Sequence, residues 1–279
     1  MNQFHWDTTP LKITPKGTTP KVLQITDPHI FKDEAGCLLG LNTRGSLNAV
    51  LDDVYAYHRD ADLVLATGDI SQDHSLESYN YFAKCMNKLG LPVAWVPGNH
   101  DISEFMAPAL SGQNFITNKR ISIGEWDLIL LDSSVEDAVF GQLGAQQLDF
   151  LEACLRSPNG KYAMPVLHHH PVDIGCDWMT PIGLHDADAM FKIIDQFSHV
   201  KVILWGHIHQ EFDIVKSGVR LLATPSSSVQ FKPGSTEFSA GTESPGYRTM
   251  KLQSNGSLST AVHRIEHIEF TVDYTIKGY

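Results

Sequence analysis

The segment Val93-Ala94-Trp95-Val96-Pro97-Gly98-Asn99-His100-Asp101 joins a short apolar run to a polar loop. An apolar run that ends at Pro-Gly is typical of a buried strand leading into a tight turn. The loop presents an amide, an imidazole and a carboxylate in succession. Taken alone, three polar residues after a strand indicate only a solvated turn.

Four other segments repeat this arrangement of an apolar run that ends in His, Asp or Asn. They are Asp27-Pro28-His29, Gly68-Asp69, His168-His169-His170 and Gly206-His207-Ile208-His209. Side chains alternate along an extended chain, so both histidines of the last segment fall on one side. Open α/β sheets bind their ligands at the carboxyl ends of their strands. We therefore predict that the five segments contribute to one site.

Strand and helix patterns alternate in the first half of the chain. Apolar runs at 21–26, 63–66 and 92–96 predict strands, and segments 44–58 and 75–89 predict helices, the first with apolar residues at helical spacing. Strand–helix–strand–helix–strand is the pattern of parallel βαβ units. The first half therefore indicates an α/β fold.

The second half contains more strand. Strands are predicted at 121–123, 128–132, 165–167 and 200–205, and helices at 144–156 and 186–197. The later runs 212–215, 219–223, 247–252 and 258–265 alternate and predict an antiparallel end to a second sheet. Residues 1–20 are rich in Thr and Pro and predict an N-terminal arm or an edge strand. No repeat or linker divides the rest, so residues 21–279 are predicted to form a single domain.

Composition restricts the class of protein. The 279 residues are 42% hydrophobic and 19% charged, which is ordinary for a globular protein. The formal net charge of −11 argues against nucleic acid and against anionic membrane surfaces as partners. No apolar run approaches the ~20 residues that a membrane-spanning helix needs.

The cysteines and the N-terminus bear on the compartment. Cys37, Cys85, Cys154 and Cys176 are scattered, which suits a reducing compartment better than a disulfide scaffold. The first residues lack the basic and apolar regions of a signal peptide. We therefore expect a cytoplasmic protein; the sequence leaves monomer and dimer open.

The side chains that follow the predicted strands are suited to metal binding. Carboxylates, an amide carbonyl and neutral imidazoles favour Fe, Mn or Zn over Mg or Ca. With Asp69 as a bridge, there are enough ligands for two metal ions at the ~3.5–4 Å spacing of two-metal sites. The predicted cofactor is therefore two transition-metal ions per chain, Fe or Mn, with Zn as a further option.

The five segments together resemble a known family. The order Asp-x-His, Gly-Asp, Gly-Asn-His-Asp, His-x-Pro and Gly-His-x-His, over residues 27–209, is similar to that of the calcineurin-like metallophosphoesterases. The resemblance implies two mixed β-sheets sandwiched between helices, a four-layer α/β/β/α fold. Further segments resemble one branch of that family, the bacterial class III 3′,5′-cyclic AMP phosphodiesterases. They are 23–29, 39–43, 175–178, 222–225, 231–233, 245–249 and 278–279.

The resemblance also implies a function and a set of site residues. It implies a phosphodiesterase that hydrolyses 3′,5′-cyclic AMP to 5′-AMP through a hydroxide that bridges two metal ions, with His100 as general acid. One metal would be held by Asp27, His29, Asp69 and His209, and the other by Asp69, Asn99, His169 and His207. His169 is chosen among three histidines because it lies two residues before Pro171, as in His-x-Pro. The substrate would contact His29, Asp69, Asn99, His100 and His209.

Roles of several residues near these motifs have alternatives. Asp101 either orients His100 or, as we favour, caps the following helix. Asn42 and Arg44 are candidates for nucleotide contacts, although Arg44 also suits a helix start. Phe231 is a candidate for stacking on adenine, although an aromatic residue in a loop more often packs on the core.

Other functions share these motifs, because substrate choice depends on loops. A glycerophosphodiester or nucleotide-diphosphate hydrolase would keep the same metal site. A nuclease or a phosphoprotein phosphatase is less compatible with the acidic charge and with the lack of an added recognition domain. A scaffold without activity is disfavoured because every ligand and His100 are retained.

Overall fold

The structure, a computed structural model, describes residues 7–278. Over this range two large mixed sheets pack face to face, and helices cover the outer face of each sheet. The predicted α/β fold, with two mixed sheets between helices, is confirmed.

The first sheet has six strands within the described range. In spatial order they are β15 (Leu258–Arg264), β14 (Gly246–Leu252), β2 (Lys21–Ile25), β5 (Leu63–Ala66), β6 (Val93–Trp95) and β7 (Phe115–Ile116). Strands β2, β5, β6 and β7 are parallel, and β14 runs antiparallel to both β2 and β15.

The second sheet has seven strands among the described residues. In spatial order they are β1 (Leu11–Ile13), β8 (Arg120–Ile123), β9 (Trp126–Leu130), β10 (Tyr162–Val166), β11 (Val202–Trp205), β13 (Val219–Ala223) and β12 (Phe212–Lys216). A separate small hairpin joins β3 (Cys37–Leu38) to β4 (Leu41–Asn42).

The two ends of the chain differ in how they match the sequence prediction. Strands β12 and β13 form the predicted antiparallel pair in the second sheet, but β14 and β15 join the first sheet through β2. The placement of that last pair was therefore wrong; in the observed register Met250 and Leu252 are buried between the sheets. Residues 11–13 form an edge strand, one of the two alternatives for the arm, whereas residues 1–6 lie outside the described range. The division at residue 20 stays a prediction.

Four of the helices lie close to their predicted positions, whereas the short third helix and the 3₁₀ helix had no predicted bounds. The helices are α1 (Thr43–Tyr57), α2 (Leu76–Leu89), α3 (Ser103–Ala109), α4 (Gly144–Arg156) and α5 (Ala187–Ile194), with a 3₁₀ helix at Asp177–Ile182. The side chains of Asn42 and Ser75 cap α1 and α2, because each accepts a hydrogen bond from a backbone N–H of the first turn. Helix α2 ends at Leu89, and Gly90, with φ +66°, caps its C-terminus.

Strand alternation explains the four layers. Along β2, Leu23 packs under the helices and Val22 faces the other sheet. Along β11, Ile203 packs under the helices and Leu204 faces the first sheet. Because both faces of each central strand are covered, the sequences of these strands are nearly continuous runs of apolar residues. Among the described helices, none has both the length and the apolar character needed to cross a bilayer.

Candidate metal centre

Strands from both sheets end at one place, where the polar segments that follow them meet. The first sheet supplies the segments after β2, β5 and β6, and the second sheet those after β10 and β11. Ligand atoms of their histidines and carboxylates form overlapping groups in which the atoms lie within 4.8 Å of one another. The members are Asp27, His29, Asp69, His100, His168, His169, His207 and His209.

The first group consists of Asp27, His29 and His209, with Asp69 beside it. Nε2 of His29 lies 3.0 Å from Nε2 of His209 and 3.7 Å from Oδ2 of Asp69. Oδ1 of Asp27 lies 3.4 Å from Nε2 of His209. Two carboxylates and two imidazoles around one small volume can hold one transition-metal ion.

The second group shares Asp69 with the first. Nε2 of His168 lies 3.3 Å from Oδ2 of Asp69 and 3.2 Å from Oδ1 of Asn99. The ring of His207 packs with its centroid 5.0 Å from that of His168. Asp69 therefore faces both groups and is placed to bridge two ions.

His168 is the histidine beside Asp69 and Asn99, whereas the sequence analysis chose His169 as the ligand. Nδ1 of His169 lies 2.8 Å from Oγ of Ser133, and its Nε2 lies 3.2 Å from the carbonyl oxygen of Val139. Its ring remains close to His207, with a centroid distance of 4.8 Å. His168, His169 and His207 form one of the groups whose ligand atoms lie within 4.8 Å of one another, and within it His168 is the histidine 3.3 Å from Oδ2 of Asp69.

Carbonyl groups orient three of the candidate imidazoles. A carbonyl oxygen only accepts, so the ring nitrogen beside it donates and the other nitrogen keeps a lone pair. The three pairs are Nδ1 of His168 with the oxygen of Thr67 (2.7 Å), Nδ1 of His209 with that of Val229 (2.7 Å), and Nε2 of His207 with that of Ile182 (3.0 Å). In each ring the nitrogen with the lone pair is the one left for a metal.

Several buried polar atoms in the cluster have no hydrogen-bond partner among the described residues, which is expected if they coordinate cations. Oδ2 of Asp69 and Nδ1 of His207 are buried without a hydrogen-bond partner in the described part of the chain. Nδ1 of His29 lies 2.6 Å from Oε1 of Gln72, which turns the Nε2 lone pair of His29 toward that of His209. A cation between these nitrogens would remove their repulsion. The residues therefore fit two ions, one among Asp27, His29, Asp69 and His209, the other among Asp69, Asn99, His168 and His207.

The electrostatics keep most of these rings neutral. Burial lowers the pKa of His29 to about 3 and holds the pKa of His207 well below its usual range. Burial also opposes charge on His168, but the carboxylate of Asp69 outweighs it and raises the pKa of His168 to about 9. The pKa of Asp69 is lowered despite burial, with His168 as the largest favourable cause. His29 and His207 are therefore held in the neutral form that binds metals, whereas His168 would release a proton when a cation binds beside Asp69.

Five of the candidate ligands have left-handed backbone conformations. Their φ angles lie between +48° and +68°, a region that residues other than glycine rarely adopt. They are Asp27, His29, Asp69, His207 and His209. Such strain is typical of functional sites, where the surrounding structure enforces it.

Two glycines allow the loops to approach one another. A Cβ atom at Gly98 would overlap Oδ1 of Asp69, and one at Gly206 would overlap Oγ1 of Thr26. These glycines therefore bring the loop of Asn99 against Asp69, and the loop of His207 against β2.

Asp101 joins two loops of the site and does not cap the following helix, which was the favoured prediction. It accepts hydrogen bonds from the backbone N–H groups of Gly98, Ile70 and Ser71, and Ile102 occupies the cap position of α3. Asp101 therefore ties the Asn99 loop to the Asp69 loop, and the prediction of a helix cap was wrong.

The candidate nucleotide contacts are engaged in the fold. Arg44 donates to the carbonyl oxygens of Phe31 and Lys32 and stacks over the Tyr81 ring. Asn42 caps α1. Phe231 is buried and stacks on the ring of His209 at 4.0 Å, which supports the packing alternative.

The fold and the ligand groups are those expected of a two-metal phosphoesterase, and the comparison with known sequences shows the family. The profile of the family described as calcineurin-like phosphoesterase matches residues 20–211. The chain therefore belongs to this family, and the family resemblance is confirmed.

Relatives within the family extend the similarity beyond residue 211. The chain is 42% identical over 258 residues to the 3′,5′-cyclic adenosine monophosphate phosphodiesterase CpdA of Pseudomonas aeruginosa, covering 92% of this chain and 94% of that protein. It is 41% identical to the CpdA of Haemophilus influenzae over 93% of this chain and 95% of that protein. A dimetal phosphatase of Danio rerio shares the fold, with a TM-score of 0.59, 16% identity, and coverage of 88% and 99% of the two chains.

Proposed function

We propose that this protein is a two-metal phosphodiesterase that hydrolyses 3′,5′-cyclic AMP to 5′-AMP. The observation that carries the proposal is the extent of the similarity. The family profile ends at residue 211, whereas the identity of 41–42% to cyclic AMP phosphodiesterases covers 92–93% of the chain. The similarity therefore includes the C-terminal segments that the family profile does not cover, and substrate choice depends on segments outside the metal motifs.

The proposed cofactor is a pair of Mn or Fe ions, with Zn as a further option. Imidazole nitrogens and carboxylate oxygens in the two groups are suited to such ions. When bound, the ions supply the positive charge that makes water nucleophilic near neutral pH and offsets charge on the phosphoryl oxygens. We propose His168 rather than His169 as the fourth ligand of the second ion, because His168 is the ring beside Asp69 and Asn99.

Asn99 and His100 are proposed to act on the phosphodiester itself. Oδ1 of Asn99 faces His168, so the amide N–H groups are the part that donates to a phosphoryl oxygen. The backbone N–H of His100 donates to Oδ1 of Asp69 at 2.9 Å, and the His100 ring lies 5.1 Å from that of His29. This holds the His100 imidazole beside the first group, where it can protonate the leaving 3′ oxygen.

The charge of the substrate supports the role of His100. Burial lowers the pKa of His100, which alone would leave the ring neutral. An anionic phosphodiester beside the ring favours the imidazolium and raises that pKa again. Binding of substrate would therefore keep His100 protonated, so that it can donate the proton to the leaving oxygen.

We also propose the cytoplasm as the compartment. The four cysteines are unpaired, which suits a reducing environment.

The test is hydrolysis of cyclic AMP by the purified protein loaded with Mn²⁺, with glycerophosphocholine as a second substrate. We expect metal-dependent 5′-AMP from cyclic AMP and far slower cleavage of glycerophosphocholine. His100→Ala should lower kcat by about 10²–10⁴-fold, the usual contribution of a general acid. The matched control is His267→Ala, which removes an exposed histidine and should leave kcat unchanged.

Two outcomes would contradict the proposal. Cleavage of glycerophosphocholine without cleavage of cyclic AMP would keep the metal centre and overturn the substrate. Full activity of His100→Ala on cyclic AMP would remove His100 from the mechanism.

A further inference from the structure

We propose that Gln24 is a positioning residue that fixes how the two sheets meet beneath the metal centre. The inference rests on the proposed two-metal site, because it concerns residues that would hold the ions. Gln24 belongs to β2, three residues before Asp27, and is fully buried. Alternation along β2 directs its side chain to the same side as Val22, into the layer between the sheets.

The layer between the sheets is largely apolar. Its core consists of Val, Leu, Ile, Met, Ala and Trp side chains from both sheets. Apolar packing is non-directional, so it holds the sheets together without fixing the offset of one against the other. The proposed ligands come from both sheets, with Asp69 on the first and His168 and His207 on the second. Metal coordination tolerates only ~0.2 Å of error, so that offset has to be fixed by other contacts.

The amide of Gln24 makes directional contacts with three further strands. Nε2 donates to Oγ1 of Thr67 at 2.8 Å and to the carbonyl oxygen of Trp205 at 2.9 Å. Thr67 directly follows β5, two residues before Asp69, and Trp205 is the last residue of β11. Oε1 accepts a hydrogen bond from Oγ1 of Thr224, which directly follows β13. One side chain therefore joins the ends of two strands of the second sheet to two strands of the first.

The direction of these hydrogen bonds is determined at both ends. Arg248 is a buried guanidinium whose Nε donates to Oγ1 of Thr224 at 3.1 Å. A guanidinium only donates, so the Thr224 hydroxyl accepts from Arg248 and donates its own hydrogen bond to Oε1 of Gln24. The carbonyl of Trp205 only accepts, so Nε2 of Gln24 has to face it. An amide satisfies both ends, whereas a carboxylate or an apolar side chain does not.

The network continues directly into the metal centre. The carbonyl oxygen of Thr67, whose hydroxyl binds Gln24, accepts the hydrogen bond from Nδ1 of His168 at 2.7 Å. A shift of Thr67 would therefore carry His168 away from Asp69 and Asn99. Partners behind metal ligands typically change metal affinity by about 10–100-fold when they are lost.

The experiment compares Gln24→Met, which keeps length but removes the amide, with wild type and with Thr260→Val. Thr260 accepts from Nη1 of Arg248 at 3.1 Å and does not bind Gln24, so its variant disturbs the same network at the far end. Mn²⁺ binding is measured by equilibrium dialysis, and the thermal midpoint is measured on metal-free protein. We expect Gln24→Met to weaken binding of at least one Mn²⁺ by about 10–100-fold, with Thr260→Val within twofold of wild type.

The outcomes separate a positioning role from a structural one. If Gln24→Met lowers only the thermal midpoint and binds Mn²⁺ within twofold of wild type, the inference is overturned. If Gln24→Met does not fold, Thr224→Val is used instead, because it removes one hydrogen bond of the same network. Unchanged Mn²⁺ affinity in Thr224→Val would overturn the inference equally. Wild type that binds none of Mn²⁺, Fe²⁺ and Zn²⁺ in the same dialysis would overturn the proposed two-metal site and this inference with it. Wild type that binds two Mn²⁺ without hydrolysing cyclic AMP would overturn only the proposed substrate, because dialysis does not depend on it.

Discussion

Nε2 of His168 lies 3.3 Å from Oδ2 of Asp69, the carboxylate shared by both ligand groups. The same nitrogen is 3.2 Å from Oδ1 of Asn99. His169, the next residue, directs its two ring nitrogens to Ser133 and Val139 instead. This relationship favours His168 over His169 as the histidine of the proposed second metal position.

The first prediction concerns the number of bound metal ions. His168→Ala removes the imidazole beside Asp69, so it should bind one Mn²⁺ per chain at concentrations where wild type binds two. His169→Ala is the neighbouring control and should retain both ions with at most a modest loss of affinity. Metal analysis after dialysis measures the stoichiometry. The opposite result, with two ions in His168→Ala and one in His169→Ala, would restore the assignment made from His-x-Pro spacing.

The second prediction compares two Arg–Asp pairs that differ in burial. Arg120–Asp127 and Arg220–Asp213 both have Nη2–Oδ2 distances of 2.6 Å, but the side chains of the first pair are 3% and 2% exposed and those of the second 31% and 34%. Asp127→Ala leaves a buried guanidinium without its counterion, so it should cost about 3–5 kcal/mol of unfolding free energy.

The matched variant is Asp213→Ala, which should cost only about 0–1 kcal/mol because solvent screens that pair. Urea unfolding of both proteins gives the two values. Equal losses would show that burial does not set the difference between these pairs.

The third prediction concerns thiol reactivity at pH 8. Cys37 is exposed, whereas Cys85, Cys154 and Cys176 are buried. Burial raises the pKa of the Cys154 thiol to about 12 and also raises that of Cys85. Because the thiolate is the reactive form, one thiol should react rapidly with Ellman's reagent in the native protein and four after denaturation. Cys37→Ser should abolish the rapid phase; its persistence would mean that a buried thiol becomes accessible.

The fourth prediction is a pH dependence of stability from Lys119. Its ammonium lies 3.8 Å from the ring centroid of Trp95 and donates to the Trp95 carbonyl, and burial lowers the pKa of Lys119 to about 8. An unfolded lysine has a pKa of ~10.4. Below pH 8 both states hold the proton and the full cost of burying the charge is present. As pH rises from 8 to 10 the native state loses its proton first, so this cost falls.

Stability of wild type relative to Lys119→Met should therefore rise by about 1–2 kcal/mol between pH 7.5 and 10. Lys119→Arg is the control, because arginine keeps its charge over this range and should show no such gain. The measurement is urea unfolding at several pH values. A difference between wild type and Lys119→Met that stays constant with pH would contradict the pKa of Lys119.

Local patterns were sufficient for most of the longer helices and strands and for a hypothesis about where the site lies. Helical spacing predicted α1 within one residue at each end, and the polar residues after β2, β5, β6 and β11 marked the edge where the groups meet. The assignment within His168-His169-His170 was not available from spacing, because three identical side chains follow one strand. The backbone after β10 brings His168 to within 3.3 Å of Asp69, and this contact is what favours His168 as the proposed ligand.

Long-range contacts account for the other differences. Arg44 was a candidate nucleotide contact, but the carbonyl groups of Phe31 and Lys32 that bind it become neighbours only after folding. Gln24 carried no signal in its own strand, since its partners are 43, 181 and 200 residues away. A polar residue inside an otherwise apolar run is the one feature that could have drawn attention to it.

Five candidate ligands have left-handed backbone conformations, which lower the thermal stability of the fold while serving metal binding. They are Asp27, His29, Asp69, His207 and His209. Each such residue costs on the order of 1 kcal/mol of native stability. Glycine adopts this conformation without that cost, so a glycine at any of the five positions would relieve strain while deleting a candidate ligand. Selection of variants for survival at high temperature in a chelating buffer would therefore enrich proteins that have lost their metal ligands, whereas the same selection with Mn²⁺ present would retain them.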